Sequence, residues 1–531
     1  MPPRILGRFV HLALFVTAFA ASLLAAEVTT PSAPAFLPSE EAWAKLPPHP
    51  RLFADVARIE ALKRQNDEIT RQLRVILKHE TEKKLTLDPV TYPPTGFLMG
   101  QMRNVQGRIL SLALSYRLTG DKRYFTKARE ELLTLAALPE WRPSHFLDTG
   151  EAALAAGVGY DWLHDDLSPD DRDRVAQAIV KNAILPALET PDEPNSWVRG
   201  DFNWTQVCHG GVVVAALAIA EREPALARKV VARAVNNFDR VGATYAPDGT
   251  CAEGPGYWAY GTGFHVILVE ALRSALGTGC GLEKYPGFLK TSDYAAQMIS
   301  ATGRGYNYSD SGEDYLDEDP IMLWFARERR DRSIARAKLA AFDRNHAIIT
   351  GGTDSVAGRK YSAHRHLPLE LFWWDPPMPA GQNSRPLHWT ASGVLPLGVM
   401  RSAWDDRTAS FLAIKGGTPN HSHAQMDVGS FILETDGVRW AVDLGSENYN
   451  TMRKAKLDLW NYSQDSTRWT CFRVGPEGHS ILRFDGAYQN VNGKAEIRAL
   501  PAAADGTLGN VVELSPLYAG QVARVERTVK L

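Results

Sequence analysis

The sequence has few cysteines, no excess of charge of either sign and, after its first 26 residues, no apolar run of membrane-spanning length. Four cysteines among 531 residues exclude a disulfide-scaffolded fold, and the lack of a CxxC pair argues against thiolate zinc sites and thioredoxin-type motifs. The 59 Lys and Arg residues nearly balance 61 Asp and Glu, which argues against non-specific nucleic-acid binding. Hydrophobic residues at 44% and charged residues at 23% exclude disordered and multi-span membrane proteins.

The chain is instead long and rich in aromatic residues. A length of 531 residues predicts two or three domains, since one hydrophobic core rarely grows that large. Its 14 Trp and 17 Tyr side chains are suited both to core packing and to stacking on sugar rings. Cys208 and Cys251 lie beside polar segments. The sequence allows either a disulfide between them or two buried free thiols.

The first 26 residues have the order of a secretory signal peptide. Arg4 and Arg8 precede an apolar run from Phe9 to Leu24, and the small residues Ala25 and Ala26 follow. A signal anchor is the alternative, but the run is shorter than the roughly 20 residues that a spanning helix needs. We therefore expect cleavage near Ala26 and a periplasmic or extracellular protein without further membrane contact.

From Pro50 to about residue 340, helix signals recur between short polar connections. Ser168 and Pro169 are typical of a helix start, and apolar residues follow at three-to-four spacing. Pro224 opens a second amphipathic segment of the same kind. Consecutive helices joined by short loops predict stacked antiparallel hairpins, as in a solenoid or an α/α toroid.

After a Gly- and Pro-rich stretch between about 345 and 395, the periodicity changes to that of strands. The segments ASFLAIKGG, GSFILETDGVRWAVDLG, HSILRFDGAYQ and VARVERTVKL have alternating or β-branched patterns. Asp436-Gly437 predicts a tight hairpin turn. We expect an antiparallel β-sandwich whose last sheet is cut short, because the sequence stops at Leu531 inside a strand pattern.

Three polar clusters lie in the helical half. In DFNWTQVCHGG, Asn203 and His209 stand at a helix start, where an anion-binding role and simple capping are both open. The segment APDGTCAEGPGYWAYGTGF predicts a long glycine-rich loop that presents Glu253, Tyr257 and Tyr260 to a ligand. The third, GRGYNYSDSGED, contains Arg304, Tyr308 and Asp310 and also fits an ordinary polar turn.

The fourth cluster lies in the strand half, in NHSHAQMDVGSF. His421 and His423 stand two residues apart, which suits one acid–base group and one metal ligand. His423, Asp443 and His479 offer two imidazoles and a carboxylate, a set that zinc accepts. The same spacing also fits two surface histidines and a hairpin aspartate.

Together these segments resemble the heparinase II/III-like polysaccharide lyase superfamily. The resemblance extends from HPRLF (His49 to Phe53) through the four clusters to RWTCFR and GHSIL, in the family's order. It implies a fold with an N-terminal incomplete (α/α) toroid over residues 27–345 and a C-terminal antiparallel β-sandwich over residues 396–531, with residues 346–395 as linker and first part of the sheet domain. It also implies β-elimination on an acidic polysaccharide.

The resemblance assigns roles to particular residues. It implies Tyr257 as acid–base tyrosine with Tyr260 in reserve, and His421 as catalytic histidine. Asn203 and His209 match the region that neutralises the substrate carboxylate. It also implies a structural zinc ion on His423, Asp443 and His479, although many relatives read HxHxD where Ala424 and Gln425 precede Met426-Asp427 here. We expect substrate contacts from Trp204, Gln206, Glu253, Trp258, Arg304, Tyr308 and Asn420.

Two other functions remain open from the sequence. An (α/α)-type glycoside hydrolase could use two of Glu253, Asp248 and Asp310 as its carboxylate pair. A glycan-binding protein could keep the fold without catalysis. The lyase hypothesis predicts an acidic polysaccharide as partner and makes no prediction of oligomeric state.

Overall fold

The structure is a computed structural model that describes residues 34–313, 316–381 and 385–531. Residues 34–531 form one compact unit, and the signal segment predicted at residues 1–26 lies outside the described part. The α-helices fall between Glu40 and Trp373 except for one short helix at Tyr449, and the two larger sheets fall between His388 and Lys530. The predicted order of helices followed by antiparallel strands is therefore confirmed, while the toroid, the sandwich and the exact domain boundaries stay predictions.

The helical part is built from long helices joined by short connections. The helices are α1 (Glu40–Ala44), α2 (Val56–Arg64), α3 (Glu68–Leu85), α4 (Met99–Thr119), α5 (Lys122–Ala136), α6 (Phe146–Leu163), α7 (Pro169–Ile179), α8 (Leu185–Glu189), α9 (Asn203–Ala218), α10 (Pro224–Asn236), α11 (Asp239–Ala243), α12 (Pro255–Leu276), α13 (Thr291–Gln297), α14 (Ile321–Arg329), α15 (Arg336–Gly351), α16 (Leu367–Trp373) and α17 (Tyr449–Lys454).

Local sequence signals explain where these helices begin. The Ser168 hydroxyl accepts a hydrogen bond from the Asp171 amide at 3.1 Å, and Pro169 occupies the first turn of α7, as predicted. Helices α6, α9 and α12 form the centre, and every residue of α6 is buried. Their close approach depends on glycine, since a Cβ on Gly211 would lie 1.9 Å from the Gly150 carbonyl oxygen. This packing fixes the start of α9, where Asn203 and Trp204 lie.

The strand part contains two larger antiparallel sheets and one small hairpin. The strands are β1 (Ser355–Val356), β2 (Arg359–Lys360), β3 (His388–Ala391), β4 (Leu397–Arg401), β5 (Phe411–Lys415), β6 (Phe431–Thr435), β7 (Val438–Ala441), β8 (Glu496–Ala499), β9 (Gly509–Glu513) and β10 (Glu526–Lys530). The five-stranded sheet has the order β3-β4-β5-β6-β7, and the three-stranded sheet has the order β10-β9-β8. The predicted Asp436-Gly437 turn between β6 and β7 is confirmed, and both residues have positive φ. Ile414 of β5 and Val512 of β9 belong to one buried apolar cluster that joins the two sheets.

One predicted strand is wrong. The segment from His479 to Gln489 is irregular, because side chains bind its backbone in place of a neighbouring strand. The Tyr518 hydroxyl donates to the Leu482 carbonyl oxygen at 2.5 Å, and Arg527 donates to that of Ser480. The alternation of apolar residues here therefore reflects packing of a loop.

The four cysteines are free thiols, so the alternative of a Cys208–Cys251 disulfide is excluded in this structure. Among the described residues, no helix has both the length and the apolar character that crossing a membrane requires.

Candidate active site

A cleft of about 890 Å³ lies where α4, α6, α9 and α12 approach loops that follow the strands. Aromatic and basic side chains dominate its wall, together with Tyr257 and His423. The wall also includes Phe97, Arg103, His145, Trp204, Tyr260, Asp310, Arg365, Tyr449, Arg453 and Trp460. Flat rings beside charged groups can hold a chain of charged sugars.

Helix α12 carries Tyr257 into this cleft. The sequence predicts a loop through residue 264, but the helix already begins at Pro255, so that prediction is wrong for Tyr257, Trp258 and Tyr260. Proline suits the first turn, and Gly254 before it has a φ of 94°, a conformation that favours glycine. The glycines that suggested a loop instead allow close packing: a Cβ on Gly261 would lie 2.1 Å from the Gln206 amide oxygen. Tyr257 is therefore held on a rigid element.

Tyr257 is part of a hydrogen-bonded group. Its hydroxyl lies 3.0 Å from the Tyr449 hydroxyl, and its ring stacks on His423 with 3.7 Å between centroids. The Tyr449 hydroxyl also lies 3.0 Å from Nδ1 of His423 and donates to Oδ2 of Asp310 at 2.9 Å. His423 itself has a φ of 62°, which is uncommon for a residue other than glycine. Two phenols, an imidazole and a carboxylate thus converge on the cleft wall.

A buried arginine sets the charge of this group. Arg468 has no solvent exposure, and its guanidinium donates to Oδ2 of Asp310 at 3.1 Å and to the Ala424 carbonyl oxygen at 2.7 Å. Burial opposes ionisation of Asp310, but the hydrogen bond with His423 and the charge of Arg468 outweigh it and lower the Asp310 pKa to about 2. Burial and the charge of Asp310 in turn raise the pKa of both Tyr257 and Tyr449. At neutral pH, Asp310 is therefore ionised and both phenols keep their protons.

Tyr257 also lines a second cleft, of about 540 Å³, which contains His421. Nδ1 of His421 lies 2.8 Å from the Ser422 carbonyl oxygen, while Nε2 is buried without a partner among the described residues. Burial and the charge of Lys415 lower the His421 pKa to about 3, so the ring is neutral. With the Nδ1 proton directed at Ser422, Nε2 is an unoccupied acceptor.

Glu253 lies in this second cleft and is bound by the start of α9. Its two carboxylate oxygens accept hydrogen bonds from the Asn203 backbone amide at 2.7 Å and from the Asn203 side-chain amide at 3.0 Å. Burial raises the pKa of Glu253. Nε2 of His423 lies 3.5 Å from the same carboxylate, which links the two clefts.

The remaining predicted residues are divided between the clefts and the protein interior. Trp204 and Tyr260 line the first cleft, and Gln206 and Asn420 line the second. The core holds His209, whose Nε2 lies 2.8 Å from the Val198 carbonyl oxygen, and Tyr308, which donates to that of Cys251 at 2.6 Å.

Two further predicted contact residues have structural partners. Trp258 lines the second cleft but is almost fully buried, and its indole donates to Thr291 at 2.7 Å. Arg304 pairs with Glu313 and Glu434 and lines neither cleft. These contacts explain both side chains by packing and charge pairing.

The sequence interpretation missed Tyr449, Trp460 and Arg468. Tyr449 opens the short helix α17, after Asn448 as its cap, in a stretch without strand or helix periodicity. Trp460 is 51% exposed and approaches His423 edge-on, with 5.2 Å between centroids. Aromatic residues in an aperiodic segment after the two histidines are the signal that the sequence offered for Tyr449 and Trp460. Arg468 opens the RWTCFR segment of the resemblance, which assigned it no role.

The predicted zinc set does not come together. Asp443 and His479 lie 2.9 Å apart, but the third member of their group is Asp427, with donor atoms of all three within 4.8 Å of one another. His423 contacts Tyr449, Asp310 and Glu253 instead, so its assignment as a zinc ligand is wrong in this structure.

A lysine already supplies positive charge to this group. The fully buried ammonium of Lys415 donates to Oδ1 of Asp427 at 2.7 Å. Oδ2 of Asp427 and Nε2 of His479 are nevertheless buried without a partner among the described residues, so Asp427, Asp443 and His479 can hold a metal, although the implied set with His423 cannot. A second group that could hold a metal, His49, His164 and Glu221, also has a cation beside it, since Arg51 pairs with Glu221 at 2.8 Å.

No protein-family model and no curated protein matches the sequence. Among solved structures, the chain is similar to heparan sulfate lyase HepC from Pedobacter heparinus at 16% identity, over 92% of this chain and 70% of that chain, with a TM-score of 0.46. It is also similar to chondroitin AC lyase from Streptomyces coelicolor A3 at 13% identity, over 86% and 69% of the two chains, with a TM-score of 0.45. An alginate lyase from Bacteroides ovatus matches at 11% identity over 60% of this chain and 99% of that chain, with a TM-score of 0.41. All three are lyases by name.

Proposed function

We propose that this protein is a polysaccharide lyase that cleaves a polymer containing uronic acid by β-elimination, with the reacting sugar at Tyr257. One observation carries the proposal: the Tyr257 hydroxyl is 3.0 Å from that of Tyr449 in an aromatic cleft of about 890 Å³. Elimination requires a base for the proton on carbon 5, an acid for the departing oxygen on carbon 4, and a group that stabilises charge on the carboxylate.

Tyr257 is the proposed acid. Its raised pKa keeps the phenol protonated at neutral pH, as an acid requires before it acts. The ionised Asp310 accepts a hydrogen bond from the Tyr449 hydroxyl. The Tyr449 oxygen can therefore accept a hydrogen bond from the Tyr257 hydroxyl and orient it. Asp310 and Tyr449 are therefore positioning residues for the acid.

His421 is the proposed base. Its ring is neutral and its Nε2 has no partner among the described residues, which is the state that a proton acceptor needs. Tyr257 and His421 both line the second cleft, and in this proposal the cleaved uronic acid lies there between them. The ring of His423 stacks on one face of Tyr257 and fixes the orientation of the phenol.

Glu253 is the proposed partner of the substrate carboxylate. In this proposal Glu253 is protonated when the substrate is bound and donates a hydrogen bond to the substrate carboxylate as negative charge spreads onto it. Burial, which raises the pKa of Glu253, favours that form. Asn203 gives both of its hydrogen bonds to Glu253 and acts through it. His209, buried against Val198, is left out of the mechanism.

The hydrolase alternative has weaker support from the same residues. Both oxygens of Asp310 already accept hydrogen bonds, Oδ1 from Gln425 and Oδ2 from Arg468 and Tyr449, and its pKa of about 2 makes it a weak base for activating water. Asp248 pairs with Lys290 at 3.1 Å and lines neither cleft. Glu253 alone of the three has the raised pKa of a glycosidase acid.

The test is turnover of a panel of polymers. The protein is incubated with alginate, heparan sulfate, hyaluronan and pectate, and the ultraviolet absorbance of the unsaturated uronyl product is followed. The proposal predicts rising absorbance with at least one polymer. No increase in absorbance with any polymer of the panel would refute the proposal. New reducing ends without an increase in absorbance would favour the hydrolase.

We also propose export with cleavage near Ala26, on the signal pattern of residues 1–26. Amino-terminal sequencing of protein recovered from the periplasm or medium of the expressing cells tests it. A mature chain that starts close to residue 27 supports export, and an intact start at Met1 contradicts it.

A further inference from the structure

The first cleft contains a basic pair that the proposed chemistry does not use. Nε of Arg103 donates to Oε1 of Glu151 at 2.9 Å, and Nη2 of Arg365 donates to the same oxygen at 3.1 Å. Glu151 has no solvent exposure, whereas Arg103 is 38% exposed and Arg365 20% exposed. Two guanidinium groups therefore share one buried carboxylate and retain one net positive charge at the cleft wall.

Gln106 holds the pair in place. Its side-chain amide donates to Oε2 of Glu151 at 2.7 Å, and its oxygen accepts from Nε of Arg365 at 2.8 Å. Tyr260 presents its ring to both cations, with Arg103 at 4.5 Å and Arg365 at 5.9 Å from the centroid. Side chains fixed in this way lose little freedom when a ligand arrives.

The neighbouring charges do not cancel this positive potential. Arg453 adds a third cation to the same wall, above Phe97 at 5.4 Å. Of the acidic groups that line the cleft, Asp310 is paired with Arg468, and Asp319 is still mostly ionised at neutral pH although burial raises its pKa to about 6. The three arginines therefore outnumber the carboxylates of Glu151 and Asp319 by one charge. Burial and the charge of Arg365 lower the pKa of His364 and His366, as expected beside a basic pair.

The pair is offset from the proposed reaction centre. Tyr260 follows Tyr257 by three residues on α12, so both face one side of the helix and lie about 4.5 Å apart along its axis. A group bound by Arg103 and Arg365 therefore belongs to a sugar next to the one that meets Tyr257. The carboxylate of the reacting sugar has its own partner in Glu253.

We propose that Arg103, Arg365 and Tyr260 form a subsite for an anionic group on the sugar that adjoins the cleaved uronic acid. This rests on the proposed function only for naming which sugar is cleaved. The shared chemistry is a planar or tetrahedral oxyanion, either a carboxylate or a sulfate, which a guanidinium fork binds through two hydrogen bonds. The substrate is thus a polymer with an anionic group on both adjoining sugars.

Three polymers distinguish the possibilities. Polymannuronate has a carboxylate on every sugar, heparan sulfate has sulfate beside its uronic acid, and hyaluronan has an uncharged neighbour. Binding is measured by tryptophan fluorescence at several salt concentrations, and kcat/KM is measured where turnover occurs. The variants are Arg103→Gln, Arg365→Gln and Arg103→Lys, with Arg228→Gln as the control, because Arg228 pairs with the exposed Glu40 outside the cleft.

We expect each glutamine variant to weaken binding of polymannuronate or heparan sulfate about tenfold or more, with little change on hyaluronan. Weaker binding of polymannuronate identifies a carboxylate as the ligand of the subsite. Weaker binding of heparan sulfate identifies a sulfate. Arg103→Lys keeps the charge but loses the fork, so it should retain part of the affinity and separates recognition from misfolding.

Equal losses on all three polymers, or losses no greater than those of Arg228→Gln, would overturn the subsite. The subsite would also be overturned if the unaltered protein bound none of the three polymers. If the binding pattern appears but no polymer yields an unsaturated product, the subsite stands and the lyase proposal fails.

Discussion

Tyr257 and Tyr260 lie on one face of the same helix and differ in their hydroxyl partners, which makes them a matched pair. The Tyr257 hydroxyl meets that of Tyr449 at 3.0 Å, whereas the Tyr260 hydroxyl lies beside Arg103 and 3.7 Å from the Met99 sulfur. We expect Tyr257→Phe to lower kcat about 100-fold or more, since it removes the acid. Tyr260→Phe keeps the ring that the subsite uses and leaves the Tyr257–Tyr449 contact intact, so its kcat should fall far less than that of Tyr257→Phe.

Initial rates of absorbance increase, with melting temperatures for both variants, check this prediction. Similar losses in the two variants would mean that the ring, and not the Tyr257 hydroxyl, matters. A loss in Tyr260→Phe alone would move the acid to Tyr260, the reserve that the sequence had suggested.

Lys415 and Asp427 give a second prediction at the residue scale. Both side chains are fully buried and 2.7 Å apart, so removal of either leaves an unpaired charge in the interior. We expect Lys415→Met or Asp427→Asn to lower the free energy of unfolding by about 3–5 kcal/mol. The double variant Lys415→Met/Asp427→Leu should recover much of the loss, because no lone charge remains.

Urea unfolding of the three variants measures these energies. Single variants as stable as the parent protein would show that the two charges do not depend on each other. A double variant whose loss of unfolding free energy equals the sum of the two single losses would show the same.

Helix α9 and its neighbours carry the site at the scale of elements, and two glycines test their packing. A Cβ on Gly211 would lie 1.9 Å from the Gly150 backbone, whereas a Cβ on Gly263 meets no atom within 4 Å. We expect Gly211→Ala to destabilise the protein by about 1–3 kcal/mol as α6 and α9 separate. Gly263→Ala should stabilise it by about 0.5–1 kcal/mol, through helix propensity alone.

Thermal unfolding with circular dichroism compares the two variants. Equal effects of the same sign would contradict the close contact of α6 with α9. Activity of Gly211→Ala should fall more than its stability at the assay temperature explains, because the start of α9 holds Glu253 through Asn203.

Local sequence signals predicted elements well where one signal decided the outcome. The cap at Ser168 and the Asp436-Gly437 turn were both predicted correctly. The glycine-rich segment before residue 264 was misread because its glycines reflect contact with Gln206, which is distant in sequence. The segment after His479 was misread because Tyr518 and Arg527, also distant, bind its backbone.

The same limit applies to the site. The sequence identified Tyr257, His421, Trp204 and Glu253, each of which lines a cleft. Tyr449 and Arg468 could not be found, because their roles depend on reaching Asp310 from remote loops.

At the scale of the whole molecule, buried neutral histidines link stability to pH. Burial lowers the pKa of His209 to about 4 and that of His265 to about 3, from the ordinary histidine value of 6.5. Below pH 6.5 these histidines bind protons in the unfolded chain but stay neutral in the folded chain. The free energy of unfolding therefore falls as the pH decreases. Each group contributes a slope of up to about 1.4 kcal/mol per pH unit until its folded pKa is reached.

Urea unfolding between pH 7.5 and 4.5 tests the prediction on the parent protein, His209→Gln and His265→Gln. Each variant is expected to be less stable at pH 7.5 but to lose less stability than the parent as the pH falls. Parallel curves for all three proteins would show that these histidines do not cause the slope.

Elimination at Tyr257 and hydrolysis differ in whether water is added to the products. The polymer that responds is cleaved in water labelled with oxygen-18, and the product masses are measured by mass spectrometry. We expect unlabelled products whose summed mass is one water molecule less than hydrolysis would give, and no products with Tyr257→Phe. Labelled products with the full hydrolytic mass would exclude elimination.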